Sequence, residues 1–311
     1  MNKHCDLHLH LGGSVSKDLL VGFAQADHNQ TAFDGIETAD VLQMFRIVHD
    51  LVNSPERIEA STEDVIRTST ADYLEIRSTP RNFSPDVSMR HYVEAFIAGL
   101  KKYPDKAKGL LSIDRYRHDL QIAQEIIALA VAHSDCIVGI DISGFNPPGA
   151  RMLQGEALKT VIEIVLNSSD LGLAIHIGEL NLEKERIDST ITLDTIDQWI
   201  VKNPKTECTG KIRLGHALYL DEDQKAIIRK HQLPVEVCPS CHRYIGTWRK
   251  GRRHPVQDIY TDTVAPVVIG TDDALIFSTD FTREMALARE ELPYELENAC
   301  SYRFGQPWPL S

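Results

Sequence analysis

The chain has 311 residues, 42% hydrophobic and 25% charged, enough to bury a large core in one barrel or two ordinary domains. Its 33 Lys and Arg stand against 45 Asp and Glu, a formal charge of −12, so it lacks the basic excess that nucleic acids and anionic membranes demand, and small-molecule chemistry is expected. No run approaches the roughly 18 apolar residues of a membrane span, Met1-Asn2-Lys3-His4 leads straight into a strand without a signal peptide's apolar core, and six scattered cysteines are too few for a disulfide framework, which together predict a cytoplasmic protein in a reducing compartment.

The first predicted strand, Asp6-Leu7-His8-Leu9-His10, ends in two histidines one residue apart. Side chains two apart on a strand share a face, so this pair can close on one metal ion. Ser16 is a plausible cap for a helix beginning at Lys17. Ala39 to Val52 carries Val41, Leu42, Phe45, Val48, Leu51 and Val52 at helical spacing, and Ser61-Thr62-Glu63-Asp64-Val65-Ile66 opens another helix before the alternating strand Ala71 to Arg77.

Strand then helix recurs from there. Predicted strands cover 109–115, 136–142, 171–176, 211–216, 233–238 and 265–270, and helices fall at 120–130, 158–166, 191–201, 221–230 and 282–292. Eight strands without a Gly/Ser linker or short repeat predict a single α/β domain over residues 1–311, a (β/α)8 barrel with extra helices after its first strand. An open doubly wound sheet would carry a phosphate-binding G-x-G-x-x-G turn after strand one, and Gly12-Gly13 lacks that spacing.

Barrels place their reactive groups at the strands' C-terminal ends. There the chain sets His8 and His10, His176, His216, and Asp272 with Asp273, while Glu179 follows His176 by three residues. Every one is a metal-ligand or acid/base type, and three imidazoles with one carboxylate leave room for a water, as in a catalytic zinc site.

These motifs, with Glu236-Val237-Cys238-Pro239, Tyr73-Leu74-Glu75-Ile76-Arg77 and Ile140-Asp141-Ile142-Ser143-Gly144, occur in the order of the adenosine deaminase family of metal-dependent amidohydrolases, which the chain resembles from about residue 4 to 277. The resemblance implies one Zn2+ per chain held by His8, His10, His176 and Asp272. It implies that His216 deprotonates or orients the attacking water, that Asp273 holds that water toward the ring carbon, and that Glu179 delivers a proton to the neighbouring ring nitrogen. Gly144 would hold the purine through its backbone N–H, and Leu42, Phe45 and Val48 would line the pocket. The implied activity is hydrolytic deamination of a 6-aminopurine nucleoside, base, or N6-substituted or 5′-phosphorylated derivative. Another mononuclear amidohydrolase that cleaves an amide or ester, and a catalytically silent purine-binding protein, remain alternatives.

The chain also departs from the family pattern. Gly12 stands where adenosine-directed members carry an acid against the ribose hydroxyl, and Ala217 and Ala274 replace the usual glycine and proline. Cys238-Pro239-Ser240-Cys241-His242 matches C-x-x-C-H, but no second cysteine pair accompanies it; it reads as the end of strand seven, with Ser240 facing substrate. The His-x-Glu and Pro-Cys-x-x-Cys order of the cytidine deaminase fold is absent. Trp248 to His254 holds the one basic cluster; such a run reads first as a solvated loop, and its place after strand seven leaves a substrate phosphate met by Arg249, Arg252 and Arg253 as the alternative.

Overall fold

The computed structural model describes residues 4–38, 40–144, 149–204, 208–296 and 299–305. Eight parallel strands follow in chain order: β1 (Cys5–His10), β2 (Tyr73–Ser78), β3 (Ala107–Asp114), β4 (Ile137–Ser143), β5 (Gly172–Ile177), β6 (Ile212–His216), β7 (Val235–Val237) and β8 (Val267–Ile269). Each pairs with the next in register such as Ile76↔Gly109 and His176↔Gly215. The ring closes just beyond β8: Asp272 N–H donates to the His8 carbonyl and His10 N–H to the Asp272 carbonyl, both at 2.8 Å. The bonds that close the barrel therefore run through residues of the expected metal site.

Strands such as β4 are buried on nearly every residue because helices cover them, Ile137, Ile140 and Ile142 wholly so. Helices at Lys17–Ala26, Gln30–Thr38, Val41–Leu51 and Pro55–Thr68 lie between β1 and β2, as the extra-helix reading expected. Ser16 caps the first of them, accepting from Leu19 N–H. The helix expected to open at Ser61 begins six residues earlier, where Ser54 caps Arg57 N–H and Pro55 takes the first turn, a position that suits its fixed φ. The helix expected at 191–201 spans Glu183–Lys202, and Met89–Lys101 is an additional helix after β2.

Inside the barrel, charge replaces the usual apolar layers. Wholly buried Glu236 accepts from Arg77 Nη2 at 2.5 Å and from Arg213 Nε at 2.7 Å, Arg213 Nη2 reaches Glu75 at 2.6 Å, and Arg77 Nη1 reaches Asp141 at 3.1 Å. Burial opposes ionisation of Glu236, but Arg77, His8 and Arg213 outweigh it and hold the carboxyl well below its ordinary range.

The chain's last described segment seals the end of the barrel beneath this network. Phe304 stacks on the Arg213 guanidinium at 3.8 Å, and its ring fills space that a Cβ on Gly172 would enter at 2.2 Å. Cys5 and Cys300 form a disulfide across 295 positions, Cα atoms 5.2 Å apart, which corrects the expectation of wholly reduced cysteines; Cys136, Cys238 and Cys241 are free and buried. Among the described residues no helix is long and apolar enough to cross a membrane.

Candidate active site

The strand ends bring the expected ligands together. His8 Nδ1 donates to Glu236 Oε2 at 2.8 Å, an orientation that fixes the tautomer and leaves the Nε2 lone pair facing the site. Asp272 Oδ1 lies 3.6 Å from His8 Nε2 and 3.5 Å from His10 Nε2, and ligand atoms of His8, His176 and His216 lie within 4.8 Å of one another. His8 Nε2 is buried without a hydrogen-bond partner. A buried, aimed and unsatisfied imidazole nitrogen beside a carboxylate fits a divalent cation, because burial without a partner otherwise costs free energy.

Backbone strain is concentrated at the same place. His216 (φ +63°), Ala217 (φ +51°) and Asp272 (φ +60°) sit in the left-handed region that non-glycine residues seldom adopt. Ala217 thus occupies a conformation in which glycine is the easier residue.

The acid/base candidates adjoin the ligands. Glu179 Oε2 is 3.5 Å from His176 Nδ1 and 3.9 Å from His216 Nε2. Burial, then the Asp272 and Glu179 charges, push the Asp273 carboxyl well above its usual range, and its Oδ1 is buried without a partner. Asp272 goes the opposite way: burial resists ionisation, but His8, His216 and His10 outweigh it. Two adjacent carboxyls with opposed shifts are a recurrent acid/base arrangement.

Gly13 makes room for Asp273, since a Cβ there would fall 1.7 Å from Asp273 Oδ1. Gly13→Ala is expected to lower kcat/KM about 10²-fold by displacing that carboxyl; steady-state kinetics with circular dichroism on the same sample check that the fold persists.

A cavity of about 770 Å³ opens onto this centre, within the range of small-molecule sites. Gly12, Gly144, Phe45 and Val48 line it as expected, Gly144 at φ +128°, and a Cβ on Gly12 would meet nothing within 4 Å. The side chain of Leu42 lies outside the described residues.

One expected contact is not brought here. Ser240 turns away, its N–H and Oγ both donating to Glu284, because the helix that starts at Pro239 presents Cys241 to the cavity instead. Arg249, Arg252 and Arg253 are exposed, as the solvated-loop reading has it, and absent from the cavity wall, with Arg253 Nε 3.2 Å from Asp258, so the alternative phosphate contact is not made there. Besides the histidines of the centre and Arg77, whose guanidinium is held by Asp141 and Glu236, the cavity is lined by the basic side chains of Arg46, His49, Arg81 and Arg117, none of which the sequence reading singled out.

A sequence profile described as adenosine deaminase matches residues 3–301. N6-methyl-AMP deaminase of Bos taurus is 28% identical, covering 92% of this chain and 83% of the bovine one, and that of Homo sapiens is 27% identical, covering 92% and 82%. The Arabidopsis ADAL protein solved with IMP superposes with a TM-score of 0.79 at 26% identity, over 96% of this chain and 91% of that one.

Proposed function

Because the chain belongs to the adenosine deaminase family of hydrolytic deaminases, we propose that its substrate is a 6-aminopurine nucleoside 5′-monophosphate, with or without an alkyl group on N6. The enzyme acts on a purine derivative, and the observation that carries the phosphate is the charge lining its cavity. Burial and the Arg117 charge pull the Arg81 guanidinium below its ordinary value, and burial with Arg81 and Arg117 does the same to His49. These basic groups destabilise one another's charged forms, and a phosphate dianion between them relieves the repulsion through charge-assisted hydrogen bonds. Gly12 supports the same reading, since no acid is offered to a ribose hydroxyl there. The relatives' N6-methyl-AMP also agrees.

His8, His10, His176 and Asp272 form a donor set that suits Zn2+, one per chain. When bound there, zinc lowers the pKa of a water in the site to about 7 from about 15.7. The side chains supply the rest. Glu179 gives a proton to the ring nitrogen N1, which makes C6 electrophilic, while Asp273 and His216 orient the attacking water. A C6–O bond forms, the C6–N6 bond breaks, and ammonia or an alkylamine departs. One hydrogen of the water ends on N1 and the other on the leaving nitrogen, so Glu179 is returned to its starting state. The Gly144 backbone holds the ring.

Amine release from AMP, N6-methyl-AMP, adenosine and N6-methyladenosine tests the substrate. The monophosphates should turn over with higher kcat/KM than the nucleosides. Arg81→Ala should raise KM for a monophosphate about 10- to 100-fold, the worth of one hydrogen bond to a charged group, and leave the nucleosides unchanged. Equal effects on both would remove the phosphate site.

A further inference from the structure

We propose that His242 and His254 are positioning residues that hold His216 as its Nε2–H tautomer, so that it presents an N–H donor, not a base, to the attacking oxygen. Only the use made of that donor rests on the deaminase reading; the tautomer is a separate property of the fold.

The argument starts from a backbone amide, whose polarity cannot reverse. Val256 N–H donates to His254 Nδ1 at 3.1 Å, so His254 Nδ1 carries no proton. A neutral His254 must then be protonated on Nε2, which lies 2.8 Å from His242 Nδ1. His242 Nδ1 accepts, so its own proton is on Nε2, 3.0 Å from His216 Nδ1. His216 Nδ1 accepts in turn, so the remaining N–H of His216 is Nε2–H, on the face of the ring turned to Glu179, whose Oε2 lies 3.9 Å away.

The relay depends on each ring carrying one proton. His216, His242 and His254 are wholly buried. Burial pushes His242 well below its ordinary range and His254 down to about 3, so both stay neutral near pH 7. Trp248 packs edge-on against His254 at 4.9 Å and its Nε1 donates to the Arg252 carbonyl, which fixes the outer ring.

This gives a use to the last residue of Cys238-Pro239-Ser240-Cys241-His242. His216, Cys238 and His242 also lie within 4.8 Å of one another, but both His242 nitrogens are already engaged by imidazoles. A base at His216 Nε2 would require the opposite tautomer along the whole relay and would set His254 Nδ1–H against Val256 N–H, two donors facing each other. His216 therefore acts on the water as a preorganised donor.

The test uses full-length, zinc-loaded protein labelled with 15N-histidine, in which long-range 1H–15N spectra distinguish the tautomers. His216 is identified by its loss in His216→Gln. Nε2–H is expected at His216, His242 and His254 in the wild type at neutral pH. His254→Ala removes the fixed polarity, so His216 should gain Nδ1–H population while kcat falls about 10- to 100-fold at unchanged KM. His254→Gln, whose amide can still donate to His242, should restore both readouts. Nδ1–H at His216 in the wild type overturns the proposal, as does a folded His254→Ala with unaltered His216 signals. The wild-type spectrum decides even if the alanine variant does not fold. Failure to release amine from any purine would sink the deaminase reading and leave the tautomer result intact.

Discussion

Glu179→Gln is expected to lower kcat by about 10²–10⁴-fold with KM and the unfolding midpoint close to wild type, the range over which a positioned acid acts. Glu179 leaves β5 three residues after His176 and holds its Oε2 3.5 Å from that ring, at the wall of the cavity. Glutamine keeps the shape and can still hydrogen-bond N1, so binding should survive. It cannot hand over a proton, and an aminopurine with an unprotonated N1 resists attack at C6. Steady-state kinetics with a thermal melt separate the two effects, and a loss of kcat below about 10-fold would remove Glu179 from the proton path.

The barrel and its centre were legible because their signals are local. Strand runs, the His8/His10 pair and the histidines and aspartates ending β5, β6 and the β8 turn can each be read within a few residues, and the fold only has to gather them. Met89, Tyr92, Val93, Phe96, Ile97 and Leu100 also carry the period of a buried helix face, so the helix after β2 was encoded just as locally.

What sequence reading missed depends on direction and distance. Arg249 to Arg253 stands out as a run and faces solvent, as its plainer reading has it, whereas Arg46, Arg81 and Arg117 come from three separate connections after β1, β2 and β3 and meet only in the cavity. Ser240 and Cys241 differ by one helical position, about 100° of rotation, which decides which of them meets the substrate space. Cys5 and Cys300 pair across 295 positions, beyond any spacing rule.

Glu236→Gln is expected to cost about 3–5 kcal/mol of stability, the usual effect of breaking a buried ion pair, and to weaken metal affinity about 10- to 100-fold. Its carboxylate takes Arg77 Nη2, Arg213 Nε and His8 Nδ1–H together. An amide has one oxygen, so its NH2 group must face at least one of these donors, and a buried donor is left unpaired. The second effect follows from the His8 contact. Without an acceptor on Nδ1 the ring is free to rotate or change tautomer, and the Nε2 lone pair is no longer held toward Asp272. Glu75→Gln is the control. Glu75 binds Arg213 and the Phe304 N–H but is not bonded to His8, and burial already raises its pKa, so it should lose less stability and keep its metal. Denaturant unfolding with competitive chelator titration of both variants measures the two quantities. Equal metal affinity in Glu236→Gln and wild type would show that His8 is oriented by packing alone.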